Sequence, residues 1–144
     1  MEQAPELRDV YLRTFAAFAT GDPTVYDALT SREEGVIMLG TDPDEWWEGF
    51  ATVIAVLGEQ LPAMRSTGMT LAPGDVRAYR EGSVGWVVDR PRIRMPNGSE
   101  LPLRYTVIFH QEDDAWKIVH GHVSIAVPNA DVEAFRDVTT SPSA

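Results

Sequence analysis

The feature that most constrains this chain is a change of texture at Met69. From there to Val127 four β-prone stretches follow one another: Met69–Arg80, Ser83–Met95, Glu100–Gln111 and Ala115–Val127. They are parted by Glu81-Gly82, Pro96-Asn97-Gly98 and Glu112-Asp113-Asp114. Turn signals at such intervals predict a meander of long antiparallel strands, and Asn97-Gly98 is the strongest hairpin signal among them. The first half reads differently. Leu7, Val10, Tyr11, Phe15 and Phe18 recur at helical spacing, Gly21 stops that helix, and Asp22-Pro23 opens another carrying Val25, Tyr26 and Leu29. Gly35-Val36-Ile37-Met38-Leu39-Gly40 reads as a short buried strand. Asp42-Pro43-Asp44-Glu45 then reads as a capped helix start, with Phe50, Val53, Ile54, Leu57 and Leu61 as its apolar face and Pro62 as its end. Helices followed by a meander predict an α+β domain in which a curved antiparallel sheet buries one face on N-terminal helices.

The 144 residues suit one domain, and a chain of that size buries roughly 68–70% of its unfolded surface without staples. The reading is one domain over residues 1–128 and a tail over 129–144 that holds at most a short helix and then a frayed, disordered end. Without cysteine, disulfides, thiolate metal sites and cysteine nucleophiles are excluded, and a reducing, cytoplasmic setting is expected. The net charge of −10 opposes nucleic-acid binding. Met1 to Thr20 lacks an apolar core segment and no apolar run approaches ~20 residues, so neither a signal peptide nor a membrane span is expected. No phosphate-binding glycine loop or Gly-x-Ser-x-Gly elbow occurs, and no cofactor is expected.

Strand register follows from the turns. A two-residue Asn97-Gly98 loop sets Val88 opposite Val107, Trp86 opposite Phe109 and Arg90 opposite Tyr105. A longer acidic loop sets Arg104 opposite His122 and Thr106 opposite His120. One face then carries Trp86, Val88, Tyr105, Val107, Phe109, Val119, Val123 and Ile125 towards the helices. The other carries Asp89, Arg104, Thr106, His120, His122 and Ser124, with Val87, Ile108 and Ile118. A slip by one residue would exchange the faces. A half-polar, half-aliphatic face is what a subunit contact needs, so a homodimer is expected.

Gly40-Thr41-Asp42-Pro43-Asp44-Glu45-Trp46-Trp47, Arg104-Tyr105-Thr106 and the run from Trp116 through His120-Gly121-His122-Val123-Ser124 resemble segments of SnoaL-like proteins of the nuclear transport factor 2-like superfamily. The C-terminal run is also similar to the end of the calcium/calmodulin-dependent kinase association domain. The resemblance spans about Pro5 to Pro128 and implies a cone-shaped, cystatin-like fold with an inner pocket and dimerisation through the convex face. Relatives implied by it include cyclases, isomerases, dehydratases, epoxide hydrolases and non-catalytic assembly modules, so the fold does not fix the activity. The kinase association domain lines its pocket with arginines. The matching positions here read Val88, Val107 and Val123, and its pocket histidine falls near Ile54, which favours an uncharged or aromatic ligand.

The expected pocket is therefore Trp46, Trp47, Ile54, Trp86, Val88, Tyr105, Val107 and Val123. Asp89, Arg104, Thr106, His120, His122 and Ser124 are expected to form a polar network at the dimer face. Asp89, His120 and His122 are the catalytic candidates should the domain be a cofactor-independent acid–base enzyme, since a carboxylate can fix an imidazole tautomer. His120 and His122 lack a third protein ligand, and Arg104 beside them would oppose a cation, so no metal is expected. Glu45 reads as a capping residue with a second possible role as a base at the pocket mouth, and Tyr105 as the one polar handle on the apolar face. The leading expectation is a small-molecule-binding domain, and the rival readings are the acid–base enzyme and a purely structural assembly module.

Overall fold

A computed structural model describes residues 1–139 of the chain. Helix α1 (Pro5–Thr20) starts on its proline and ends at Gly21, whose left-handed backbone (φ 73°) donates its N–H to Ala17 O at 2.8 Å. Asp22 caps α2 (Thr24–Leu29) by accepting the Thr24 N–H at 2.9 Å. A short N-terminal strand β1 (Glu2–Gln3), which carries no sequence signal, adds to one sheet edge. After α2 come β2 (Ile37–Leu39), β3 (Trp46–Glu48) and α3 (Phe50–Ser66).

The Asp42–Glu45 segment makes the reciprocal bonds of a capping box without starting a helix. Asp42 Oδ1 accepts the Asp44 N–H at 3.0 Å and Glu45 Oε2 accepts the Asp42 N–H at 3.2 Å. These bonds instead close the β2–β3 turn, because Trp46-Trp47-Glu48 pairs as a strand with Ile37–Leu39. The helix begins only past Gly49, where φ is 84°. Pro62 does not end it. α3 runs on to Ser66, forfeiting one backbone bond while Leu61 and Met64 keep it seated on the interior.

The four β-stretches are present, but the first two are each broken in two. Met69–Arg80 gives β4 (Thr70–Ala72) and β5 (Arg77–Glu81); Ser83–Met95 gives β6 (Val84–Asp89) and β7 (Arg92–Arg94). Pro73-Gly74 and Arg90-Pro91 interrupt both at one level, since proline cannot donate to a ladder. Gly74 is required there, because a Cβ would lie 2.1 Å from Arg90 O. β8 (Glu100–Glu112) and β9 (Ala115–Ile125) are the long strands that carry the curve. The main sheet runs β1-β5-β6-β8-β9-β2-β3, with β4 and β7 extending the β8 side. It is mixed rather than wholly antiparallel: β2 lies parallel to β9, with Ile37, Met38 and Leu39 opposite His120, Gly121 and His122. A 3-10 turn (Asn129–Asp131) and helix α4 (Glu133–Thr139) follow, and the expected frayed end over 140–144 lies outside the described residues. No described helix is long and apolar enough to cross a membrane.

Register decides which side chains look inward, and it departs from expectation in two places. The β7–β8 loop is three residues, Pro96-Asn97-Gly98, closed by Gly98 N–H to Met95 O at 2.9 Å. Val87 therefore faces Val107, Val88 faces Thr106 and Asp89 faces Tyr105. In the next hairpin the turn is only Asp113-Asp114, both left-handed, and a bulge follows at Ile108/Phe109. These two offsets leave Arg104 opposite Ser124, Thr106 opposite His122 and Ile108 opposite His120. Beyond the bulge Phe109 faces Ile118, so Ile118 and Trp116 join the buried core where Val119 was expected. Leu7, Tyr11 and Leu61 from the helices meet Val87, Val107 and Phe109 from the sheet in that core.

Candidate functional site

Between α3, α2, the end of α1 and the concave sheet lies a cavity of about 340 Å³ with a predominantly apolar wall. That volume falls within the usual range for small-molecule sites, roughly 300–1,000 Å³. Met38 from β2, Leu57 and Met64 from α3, and Leu103 and Val123 from the sheet supply hydrocarbon. Phe18, Tyr26, Trp47 and Tyr105 supply aromatic surface. The space depends on Gly121. A Cβ there would lie 2.9 Å from Met38 Sδ and 3.3 Å from the Tyr105 hydroxyl, so a glycine in mid-strand keeps these groups at the wall.

Of the expected pocket residues, Trp47, Tyr105 and Val123 border this cavity. Val107 faces the same way but is sealed in the core, and Ile54 packs against that core. Trp46, Trp86 and Val88 are corrections. Trp46 is 59% exposed because strand alternation turns Trp47 inward and its neighbour out. The three-residue loop places Trp86 and Val88 on the convex face, where Trp86 stacks on Tyr79 at 6.3 Å and Val88 is 38% exposed.

The same shift moves Asp89 the other way. It is 4% exposed and buried under α1, not on the polar row. Its Oδ2 accepts the Tyr11 hydroxyl at 2.9 Å, and its Oδ1 accepts the Gly74 and Arg90 N–H groups at 3.0 and 2.7 Å. Asp89 thus ties α1 to the strand break rather than to Thr106 or His120. Arg104, Thr106, His120, His122 and Ser124 do share the convex face. His120 Nδ1 lies 2.7 Å from Ile37 O, which requires Nδ1 to carry the proton and leaves Nε2 as the free nitrogen. None of the catalytic candidates Asp89, His120 and His122 borders the cavity. The third histidine, His110, lies apart, with Glu33 and Glu112. There Glu112 Oε1 accepts the Ser31 hydroxyl at 2.5 Å and lies 3.6 Å from His110 Nδ1.

The polar groups that do border the cavity are few. At the mouth Glu45 Oε1 meets Gln60 Nε2 at 3.4 Å. Gly40 makes room for this carboxylate, since a Cβ there would overlap it. Deeper in, the Tyr26 and Tyr105 hydroxyls act on one another. Burial pushes the Tyr105 phenol up to about 12, with the Tyr26 hydroxyl a smaller opposing influence. Burial likewise raises Tyr26, reinforced by Tyr105 and opposed by the Thr14 hydroxyl. Tyr11 is raised by burial first and then by the Asp89 charge. Near neutrality the phenols at the cavity are therefore proton donors. The sequence signals that could have found the missed residues are Gly121 between the two histidines and the alternation of Glu45 with Trp47.

Residues 7–128 match the SnoaL-like domain family. The chain belongs to that family. The match takes in α1 from Leu7, α2, α3, every strand from β2 to β9 and every residue of the cavity wall. No curated protein sequence matches. Among solved structures, an NTF2-like protein of unknown function from Pseudomonas putida KT2440 superposes with a TM-score of 0.77 at 14% identity, covering 88% of this chain and 92% of that one. The CaMKII hub of S. rosetta gives 0.70 at 18% identity, with 88% and 98% covered. A candidate dehydratase of the NTF2-like family from Streptomyces avermitilis gives 0.70 at 17% identity, with 85% and 94% covered. At such identities the likeness concerns the fold, which is NTF2-like and cystatin-like, as the element order implies.

Proposed function

We propose that this SnoaL-like domain, a single unit over residues 1–128, binds a small, mainly apolar organic molecule in the cavity between α3 and the concave sheet. The observation that carries the reading is the wall itself: about 340 Å³ bounded by leucine, methionine, valine and aromatic side chains, with two phenol hydroxyls, Thr41 and one carboxylate–amide pair as its polar side chains. Such a site gains affinity from burial and takes its orientation from the few polar groups. A thermal-shift screen of aromatic and terpenoid compounds tests it. A ligand at 100 times its Kd should stabilise the fold by about 2.7 kcal/mol, and Gly121→Leu, which fills the cavity, should abolish the response. A broad library without any shift would favour an assembly module with a vestigial pocket.

The convex face supports a second part of the proposal, a homodimer. Trp86, Val88 and Ile108 stand beside Arg104, Thr106 and His122 on the face turned away from α1 and α3. Assembly in the CaMKII hub neighbour is in keeping with this. Val88→Asp should convert the dimer to monomer in sedimentation velocity while the circular dichroism spectrum stays unchanged.

For an acid–base enzyme, which the candidate dehydratase neighbour keeps in view, the groups in position are Glu45 and Tyr105 rather than Asp89 or the histidines. In that case His120→Ala should leave turnover intact and Tyr105→Phe should remove it.

A further inference from the structure

The cavity wall bears on the charge of its ligand, an inference that rests on the binding reading above. Among the described residues no lysine, arginine or histidine borders the cavity, and Glu45 is the one carboxylate that does. Its neighbours are neutral: Gln60 Nε2 at 3.4 Å from one oxygen and the Asp42 N–H at 3.2 Å from the other. Among the described residues it pairs with no cation. The nearest arginine on α3, Arg65, points its guanidinium away and donates to Thr20 O at 2.9 Å. Alternation along the chain places Trp47 on the same side as Glu45, and Phe18, Tyr26 and Tyr105 complete an aromatic lining. Aromatic rings carry negative potential on their faces and attract cations, more strongly where water is excluded. The chain as a whole adds a charge of −10, which draws cations towards it and repels anions.

The geometry points to an amine-bearing apolar molecule as the ligand, with its ammonium at Glu45 on the side of Trp47 and its hydrocarbon body running inward towards the tyrosine hydroxyls. An ammonium meets the carboxylate with an opposite charge as well as a hydrogen bond, an alcohol supplies the hydrogen bond without the charge, and a carboxylate supplies neither. The tyrosines serve the far end: as neutral donors they can receive a carbonyl or ether oxygen. Acidic molecules are disfavoured twice, by Glu45 and by the lack of any cationic partner.

The test is isothermal titration of the full-length protein with three probes that share one hydrocarbon body: phenylpropylamine, phenylpropanol and phenylpropanoate. The amine should bind at least tenfold more tightly than the alcohol, and the acid should be weakest. Glu45→Gln retains an oxygen for the Asp42 N–H. It should bring the amine down to the alcohol's affinity and cost the alcohol far less, with an unaltered melting curve reporting an intact fold. Trp47→Leu should weaken the amine more than the alcohol. Equal binding of amine and alcohol, or tightest binding of the acid, would overturn the charge preference while leaving the pocket reading intact. Silence from all three probes, together with silence in the wider screen, would take down the pocket reading and this inference together.

Discussion

The concave face of the sheet buries its carboxylate at Asp89, where three donors are fixed by a helix and a strand break: the Tyr11 hydroxyl and the Gly74 and Arg90 N–H groups. On the convex face Arg104 and His122 stand exposed, and Trp86 leans on Tyr79 with part of its ring open. Polar groups inside are structural because nothing but the protein can satisfy them. Those outside keep their capacity for a partner. Substitutions on the two sides should therefore differ in kind: inside they should change stability, and outside they should change assembly.

The largest effect should come from Asp89→Ala. It removes the acceptor of three donors at once, the buried Tyr11 hydroxyl among them, and a hydrogen bond to a charged group contributes about 1.5–3 kcal/mol. Urea unfolding would show it as a fall in midpoint with an unchanged slope. A loss under 1 kcal/mol would mean that the concave polar groups are as dispensable as the convex ones. Gly74→Ala comes next, since its Cβ would sit 2.1 Å from Arg90 O and strain of this kind costs about 1–3 kcal/mol. The same assay should register it with no change in oligomeric state.

Tyr105→Phe should cost about 0.5–1.5 kcal/mol, the net value of one hydrogen bond, and should carry a pH signature. The Tyr105 phenol ionises near 10 in the unfolded chain and at about 12 in the fold. The unfolded chain gives up this proton first, so the contribution is whole below pH 10 and is lost as pH rises through about 12. Unfolding midpoints taken from pH 9 to 12 should fall along that window, and the substitution should flatten part of the fall. Smallest of all, Trp86→Ala should shift the urea midpoint of a monomeric Val88→Asp background by under ~1 kcal/mol. In the otherwise unaltered chain it should weaken the proposed dimer, which sedimentation velocity would read.

The two hairpins show how far the sequence reaches. Hydrophobic runs and turn residues disclosed the meander and the helices, because burial and turn chemistry are local and leave periodic marks. Loop length is less legible. Pro96-Asn97-Gly98 holds a two-residue hairpin signal inside a three-residue loop, and that one residue exchanges the faces of Trp86, Val88 and Asp89. In the second hairpin the tight Asp113-Asp114 turn and the bulge at Ile108/Phe109 displace the register twice. The displacements run the same way and add up to two residues, and a two-residue slip keeps the face, so Arg104, Thr106, His120, His122 and Ser124 stay together although each pairing differs from the expected one. Bulges answer to packing across the sheet, not to the residues that form them. The helix expected at Asp42 failed for a related reason. Its capping bonds are local and did form, but pairing of Trp46–Glu48 with β2 is a tertiary matter and overrode them.

Gly40 leaves a vacancy that the Glu45 carboxylate fills from across the turn. A methyl group at that position would have to expel the acid from the rim and, lying 2.8 Å from Glu45 Cβ, would also ease the turn slightly apart, while the helices and the rest of the lining lie beyond its reach. Gly40→Ala is reachable by a single nucleotide change from any glycine codon. Sister genes carrying this fold could therefore part ways in the molecules they accept without passing through an unfolded ancestor.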